Sequence, residues 1–185
     1  MSNLKEKIFE GLKTKGFRVE EMDNFHFSNE DYKITFPEIT SYITIRMTVS
    51  AEIENVSFIT LFIEPAMSYS SVKLIHNDTE PVDNLISKIS NHLNILKDQM
   101  YKYITLINDI GSEMSGMIHL DTLCNTTTMI FYIKSNNGGL AYIKPKFNFT
   151  DSFVTFEVGN GVVPPMIYYS SISYEDLIES ISLLI

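Results

Sequence analysis

The run PVDNLISKISNHLNILKDQMYKYITLINDIG, residues 81–111, decides the fold. Val82, Ile86, Ile89, Leu93, Leu96, Met100, Tyr103 and Ile107 recur at alternating steps of four and three with no Gly or Pro between them. That period draws one unbroken apolar stripe along a helix. Pro81 suits the first helical position, where a missing N–H costs little, and Glu80 and Asp83 suit the positive end of the helix dipole. The pattern predicts a helix over residues 81–108, about 42 Å long, with Gly111 as its stop. Leu85, Ile95 and Ile104 widen the stripe, and Asn91, Asn94 and Lys97 supply a wet side. This favours a central helix packed on the chain's own sheets over an exposed, dimerising coiled coil.

On both sides of this helix the period falls to two. Ile43, Ile45, Met47, Val49, Ala51 and Ile53 alternate with Thr44, Arg46, Thr48, Ser50 and Glu52, as in an antiparallel strand with one dry face. Glu54 and Asn55 form a turn, and Val56 to Ile63 returns with apolar residues on both faces until Pro65. Tyr32, Ile34 and Phe36, and later Tyr69 to Ile75, complete a first sheet of about four strands. After the helix, strands are expected at Gly116 to Leu120, Thr127 to Lys134, Leu140 to Phe147 and Phe153 to Val158. Asn136, Asn137, Gly138 and Gly139 mark a hairpin, because those residues tolerate positive φ. Pro164 and Pro165 push Met166 to Tyr169 toward a sheet edge.

Two shorter helices flank this arrangement. Leu4, Ile8 and Leu12 give an amphipathic helix over residues 3–15, with Ser2 as N-cap and Gly16 as stop. Ser173, with Asp176 three residues on, opens a C-terminal helix carrying Leu177, Ile178, Ile181 and Leu184. Residues 82–90 and 174–182 match in pattern at an offset of 92, which suggests a pseudo-duplication or shared helix constraints. The fold class is therefore α+β, antiparallel sheets around a long central helix. One domain, 1–185, is expected, with halves 1–108 and 109–185 sharing one core. The order helix, antiparallel sheet, helix resembles that of secretion-chaperone-like folds, a likeness of topology that assigns no activity.

Composition narrows function by exclusion. Net charge is −9, the arginines are Arg18 and Arg46, and tryptophan is absent, so the positive footprint of a nucleic-acid binder is missing. No segment approaches the roughly 18 apolar residues of a membrane span, and Lys5, Glu6 and Lys7 stand where a secretory leader would need apolar residues. Cys124 is the only cysteine, so no internal disulfide forms, and a cytoplasmic location is expected. Abundant Ile, Asn, Lys and Tyr beside few Arg and Ala fit an AT-rich source such as a low-GC bacterium or its phage.

The candidates for chemistry are local pairs. His76 with Asp78, and His119 with Asp121, stand two apart, which on a strand aims both side chains to one face as acid–base or metal chemistry would need. Turn chemistry is the better explanation of both acids, Asp78 opening a turn before the helix and Asp121 ending a strand. Cys124 lies three residues beyond Asp121, but Asn125 and Thr126 to Thr128 bring no base to activate it. The glycines at 138, 139, 159 and 161 follow no phosphate-binding pattern. No catalytic residue, metal site or cofactor is assigned.

The preferred reading is a non-catalytic protein-binding module. Glu20, Glu21, Asp23, Glu30 and Asp31 are its partner-binding candidates, because residues 20–31 hold five acids and no lysine or arginine. An acidic inhibitor or anti-defence factor directed at the basic groove of a nucleic-acid-processing enzyme is the concrete form. A crowd of aromatics in the second half, Tyr132, Tyr142, Phe147, Phe149, Phe153, Phe156, Tyr168 and Tyr169, offers a second surface for protein contact. The rival readings are a chaperone- or adaptor-like homodimer and a small enzyme or metal protein using a His-x-Asp pair.

Overall fold

The computed structural model describes residues 2–22, 31–39, 44–53, 55–64, 70–114, 117–123, 126–134 and 138–185, with backbone alone at 2, 3, 31, 51–53, 64, 113, 114, 117–123 and 126–129. The element order is α1 (Ser2–Thr14), β1 (Arg18–Met22), β2 (Asp31–Thr35), β3 (Thr44–Ile53), β4 (Val56–Glu64), β5 (Ser71–Asn77), α2 (Val82–Met114), β6 (Met117–Leu123), β7 (Thr126–Lys134), β8 (Leu140–Lys146), β9 (Thr155–Gly159), β10 (Met166–Tyr169) and α3 (Tyr174–Ser182). Two five-stranded antiparallel sheets result, β1-β2-β3-β4-β5 and β10-β9-β8-β7-β6, each a meander in which sequence neighbours pair. The fold is α+β as the periodicity predicts, with five strands per sheet rather than about four. By compactness the chain divides into Met1–Leu96 and Lys97–Ile185, so the boundary falls inside α2.

Helix α2 is the expected long helix, and it extends further than the sequence suggests. Gly111 lies within it, not at its end. A glycine inside a helix costs only about 1 kcal/mol relative to alanine, and the apolar stripe continues through Ile107 and Ile110, both essentially inaccessible to solvent. All of Leu85, Ile86, Ile89, Leu93, Leu96, Met100, Tyr103, Ile107 and Ile110 are between 0 and 6 % exposed. The seam is therefore filled by the chain's own packing.

In the first unit, α1 buries Ile8 and Leu12 and ends at Gly16, whose φ of 89° lets the Phe17 N–H turn back to the Leu12 carbonyl at 3.2 Å. Ser2 lies inside the first turn of α1 rather than before it. Strand β3 buries Ile45, Met47 and Val49, and β4 buries Ser57, Ile59, Leu61 and Ile63, so each presents one inner face. The outer face of β4 is less covered than its sequence implies, with Phe62 exposed. Asn55 turns the β3–β4 hairpin at φ 67°. Ile43, Glu54, Pro65 and Tyr69 lie outside the described residues.

Gly11 sits in mid-helix for a packing reason. A Cβ built there would collide with the Ile86 side chain, whose Cγ1 and Cγ2 would also be only 3.1 and 3.2 Å away. Ile86 is buried and β-branched, so it has little rotamer freedom to yield.

In the second unit, α2 is tied to the sheet by polar side chains as well as apolar ones. Tyr103, fully buried, donates its hydroxyl to the Ile143 carbonyl at 2.9 Å and packs edge-on against Phe147 at 5.9 Å. Gln99, also fully buried, accepts from the Asn148 N–H at 3.0 Å and donates to the Asp151 carbonyl. Asn148 in turn collects the N–H groups of Thr150 and Asp151 at 2.9 and 2.7 Å. Each buried polar group thus meets a partner that replaces water. Hairpin residues Asn136 and Asn137 lie outside the described residues, whereas Gly138 has the positive φ expected of the turn, 87°. Ser173 caps α3 by accepting the Asp176 N–H at 3.1 Å, as the capping-box reading predicts.

Two stability outcomes follow from these contacts. Gly11→Ala is expected to destabilise by about 1–3 kcal/mol despite the better helix propensity of alanine, because the core is overpacked. Adding Ile86→Val, which removes the δ carbon, should recover part of the loss in a double-mutant cycle by urea unfolding. For Tyr103, burial pushes the phenol well above its ordinary range, opposed in part by a backbone hydrogen bond from Phe131. The unfolded chain then ionises first, from about pH 10, so it binds fewer protons than the native state and stability falls as pH rises. Tyr103→Phe should cost about 1 kcal/mol near neutrality, and its stability curve above about pH 10 should be shallower than that of the wild type.

Candidate functional site

The acidic candidates begin on an edge strand. Among the described residues β1 pairs with β2 alone, in a register that sets Glu20 opposite Lys33, Glu21 opposite Tyr32 and Met22 opposite Asp31. Glu20, Glu21 and Asp31 therefore occupy adjoining positions at one end of this pair. Alternation aims Glu20 and Glu21 to opposite faces of the strand. The Arg18 guanidinium reaches the Glu20 carboxylate through Nε at 2.8 Å and Nη2 at 2.7 Å. The two side chains are 67 and 45 % exposed, so the pair is worth little to stability, but it offsets the charge of Glu20. Glu21 is exposed and has no ion-pair partner among the described residues. Asp23 and Glu30 lie outside the described residues, as does the side chain of Asp31.

The His-x-Asp pairs fare differently. His76, on the inner face of β5 opposite Ser57, is 2 % exposed. Asp78 is exposed in the turn that follows, where its N–H bonds the Asn55 carbonyl at 3.1 Å. Strand alternation ends at Asn77, whose side chain accepts the Thr79 N–H at 3.2 Å, so the premise that put both groups on one face does not hold. The Nδ1 atom of His76 is buried without a hydrogen-bond partner among the described residues. His119 and Asp121 occupy positions of β6 that pair with Ile130 and Thr128; their side chains, and Cys124 altogether, lie outside the described residues. Among the described residues no group of three or more His, Cys, Asp or Glu side chains could hold a metal ion. No helix among them is long and apolar enough to cross a membrane.

The aromatic crowd of the second half resolves into three kinds. Phe147, Phe149 and Phe156 are core. Tyr132, Tyr142 and Tyr168 are half-buried, with Tyr132 and Tyr142 edge-on at 6.4 Å across β7 and β8. Phe153 and Tyr169 remain on the surface, 39 and 53 % exposed, and pack edge-on with ring centroids 5.3 Å apart. Exposed Met166 and Ile167 lie on β10 with Tyr169, and Val162 and Val163 precede that strand in the chain. Periodicity alone does not single out this patch, because an alternating strand reads the same at a sheet edge as in its middle.

No protein-family model, curated protein or solved structure matches this chain.

The unpartnered imidazole of His76 separates a structural from a chemical role. A buried polar atom without a partner costs about 1–3 kcal/mol. His76→Leu is therefore expected to stabilise the fold by about 1 kcal/mol, seen as a higher urea midpoint with an unchanged slope. A loss of stability would instead show that the imidazole is held by a partner group.

Proposed function

We propose that this chain is a non-catalytic protein-binding module, an acidic inhibitor or anti-defence factor of a phage or mobile element, that sets the β1 edge against the basic groove of a nucleic-acid-processing enzyme. The observation that carries this reading is the cluster at the end of the β1–β2 pair, where Glu20 and Glu21 are exposed on an unshared strand edge and Asp31 lies opposite Met22. Asp23 and Glu30 add to it from the intervening sequence. A groove built for phosphates presents lysine and arginine at close spacing, and clustered carboxylates can pair with the same cations. The net charge of −9 adds long-range attraction to such a partner and repels nucleic acid itself. The Arg18–Glu20 pair limits this edge, so Glu21 is the side chain expected to contribute most.

The reading is tested by affinity capture from the native host with the wild type and with the double variant Glu20→Lys, Glu21→Lys. The wild type should retain a nucleic-acid-binding protein that is released by duplex DNA, or by raising salt from about 0.1 to about 0.5 M, where the Debye length becomes shorter than a side chain. The double variant should retain at least about tenfold less. Retention that ignores salt, DNA and charge reversal alike would overturn the reading.

A further inference from the structure

Open meander sheets leave edges, and those of this protein are not alike. β1 carries Arg18, Glu20 and Glu21, β5 carries Lys73, and the β6 sequence includes His119 and Asp121. β10, Met166-Ile167-Tyr168-Tyr169, carries no charge. An uncharged, apolar edge is what folded proteins ordinarily avoid, because its unpaired backbone groups are a template for another strand.

Which backbone groups stand free follows from the pairing. The Ser170 N–H reaches the Val154 carbonyl at 2.9 Å, and the β9–β10 register sets Tyr169 opposite Thr155 and Tyr168 opposite Phe156. In an antiparallel ladder the bonded positions alternate, so residues 166, 168 and 170 turn their backbone groups toward β9, and Ile167 and Tyr169 turn theirs outward. The Tyr169 carbonyl is taken by the Ile172 N–H at 3.0 Å. The N–H and C=O of Ile167 and the N–H of Tyr169 then face away from the sheet. Their side chains are 49 and 53 % exposed, with Phe153 against Tyr169.

The surroundings of this edge are acidic. The Tyr168 hydroxyl donates to Ser180 Oγ at 2.9 Å, which holds α3 beside β10, and α3 exposes Glu175, Asp176 and Glu179. The nearby cations are engaged: Lys146 pairs with Glu157 at 2.6 Å, and Lys102 donates to the Ser152 carbonyl at 2.6 Å. The geometry points to β10 as a docking edge that takes up an extended segment of a partner protein, apolar at alternate positions and flanked by lysine or arginine, as a sixth strand of its sheet. A second copy of the chain is the poorer occupant. Pairing two β10 edges would bring two acidic α3 helices together in molecules that each carry a net charge of −9. This surface belongs to the second unit and is independent of the β1 edge in the first.

The test uses the full chain and two labelled peptides, KTVTVTVK and its acidic counterpart ETVTVTVE, by fluorescence anisotropy. The basic peptide should bind at least about tenfold more tightly, and binding should slow hydrogen exchange at the Ile167 and Tyr169 amides. Ile167→Pro removes an outward N–H while leaving the bonds to β9 intact, so it should abolish peptide binding without moving the melting midpoint. Should that variant unfold, Tyr169→Lys, which places a charge on the edge, should give the same loss. Glu20→Lys with Glu21→Lys should leave peptide binding unchanged, which separates this inference from the acidic-edge reading. No binding of the basic peptide, equal binding of both peptides, or full binding by Ile167→Pro would overturn it. So would a concentration-dependent dimer in sedimentation that Ile167→Pro dissolves, since the edge would then be covered by a second copy.

Discussion

Burial of one helical seam governs the rest of this structure. An amphipathic helix of 33 residues gains little from its intrinsic propensity and must have its apolar side covered. The chain covers it with sequence-local material. Leu85 to Leu96 lie in the first compact unit, and Met100 to Ile110 in the second. Each full burial of such a side chain is worth roughly 1.5–3 kcal/mol, so no other single element gathers as much of the driving force. The close approach of α1 at Gly11 and the insertion of Gln99 and Tyr103 among backbone carbonyls are consequences of that seam. They occur where a neighbouring element comes too near for a larger side chain or ends in polar groups that need a partner.

The long helix, the β3–β4 hairpin, the α3 cap and the edge position of β10 were all legible from period and punctuation. These features are encoded locally, by residues within one turn or one strand. What escaped was set by tertiary context. Gly111 reads as a stop because glycine is a poor helix former, yet Ile110 on the buried stripe outweighs that cost. Nothing in the periodicity singles out Gln99, whose buried amide is complementary to the backbone around Asn148 and Asp151. Asp78, by contrast, was legible as a turn residue, and it lies one position beyond the end of β5. At the acidic edge, the cluster was visible in sequence, and the Arg18–Glu20 contact follows from positions two apart on one strand face.

The repeat at offset 92 has a structural counterpart of limited depth. Val82 and Tyr174 are each the first residue of their helix, Leu85 and Leu177 are both buried, and so are Ile89 and Ile181. Ser90 and Ser182 make the same bond, each hydroxyl donating to the carbonyl four residues before it, at 2.7 and 2.8 Å. The sheets that precede these helices do not correspond strand for strand. Their longest members are β3 and β4, of 10 and 9 residues, in one and β7, of 9 residues, in the other. Shared demands on an amphipathic helix that closes a meander account for the local match without a common ancestor of the halves.

The contrast between the sheet edges is harder to assign to folding alone. A meander exposes its first and last strands whatever its sequence, and charged side chains there keep such strands from pairing indiscriminately. The first sheet follows that rule at β1, although Arg18 and Glu20 spend part of their charge on each other. The last strand of the second sheet does not follow it, and its exposure is not a gap in core packing. Tyr168, between two exposed neighbours, stacks on Phe156 at 6.2 Å and bonds α3. The strand is held in place by every second residue while the others stay uncovered. Holding an apolar edge rigid and uncapped exposes it to aggregation, and a device that only stabilised the fold would have put a charge at Ile167 or Tyr169, where solvent accepts one without loss.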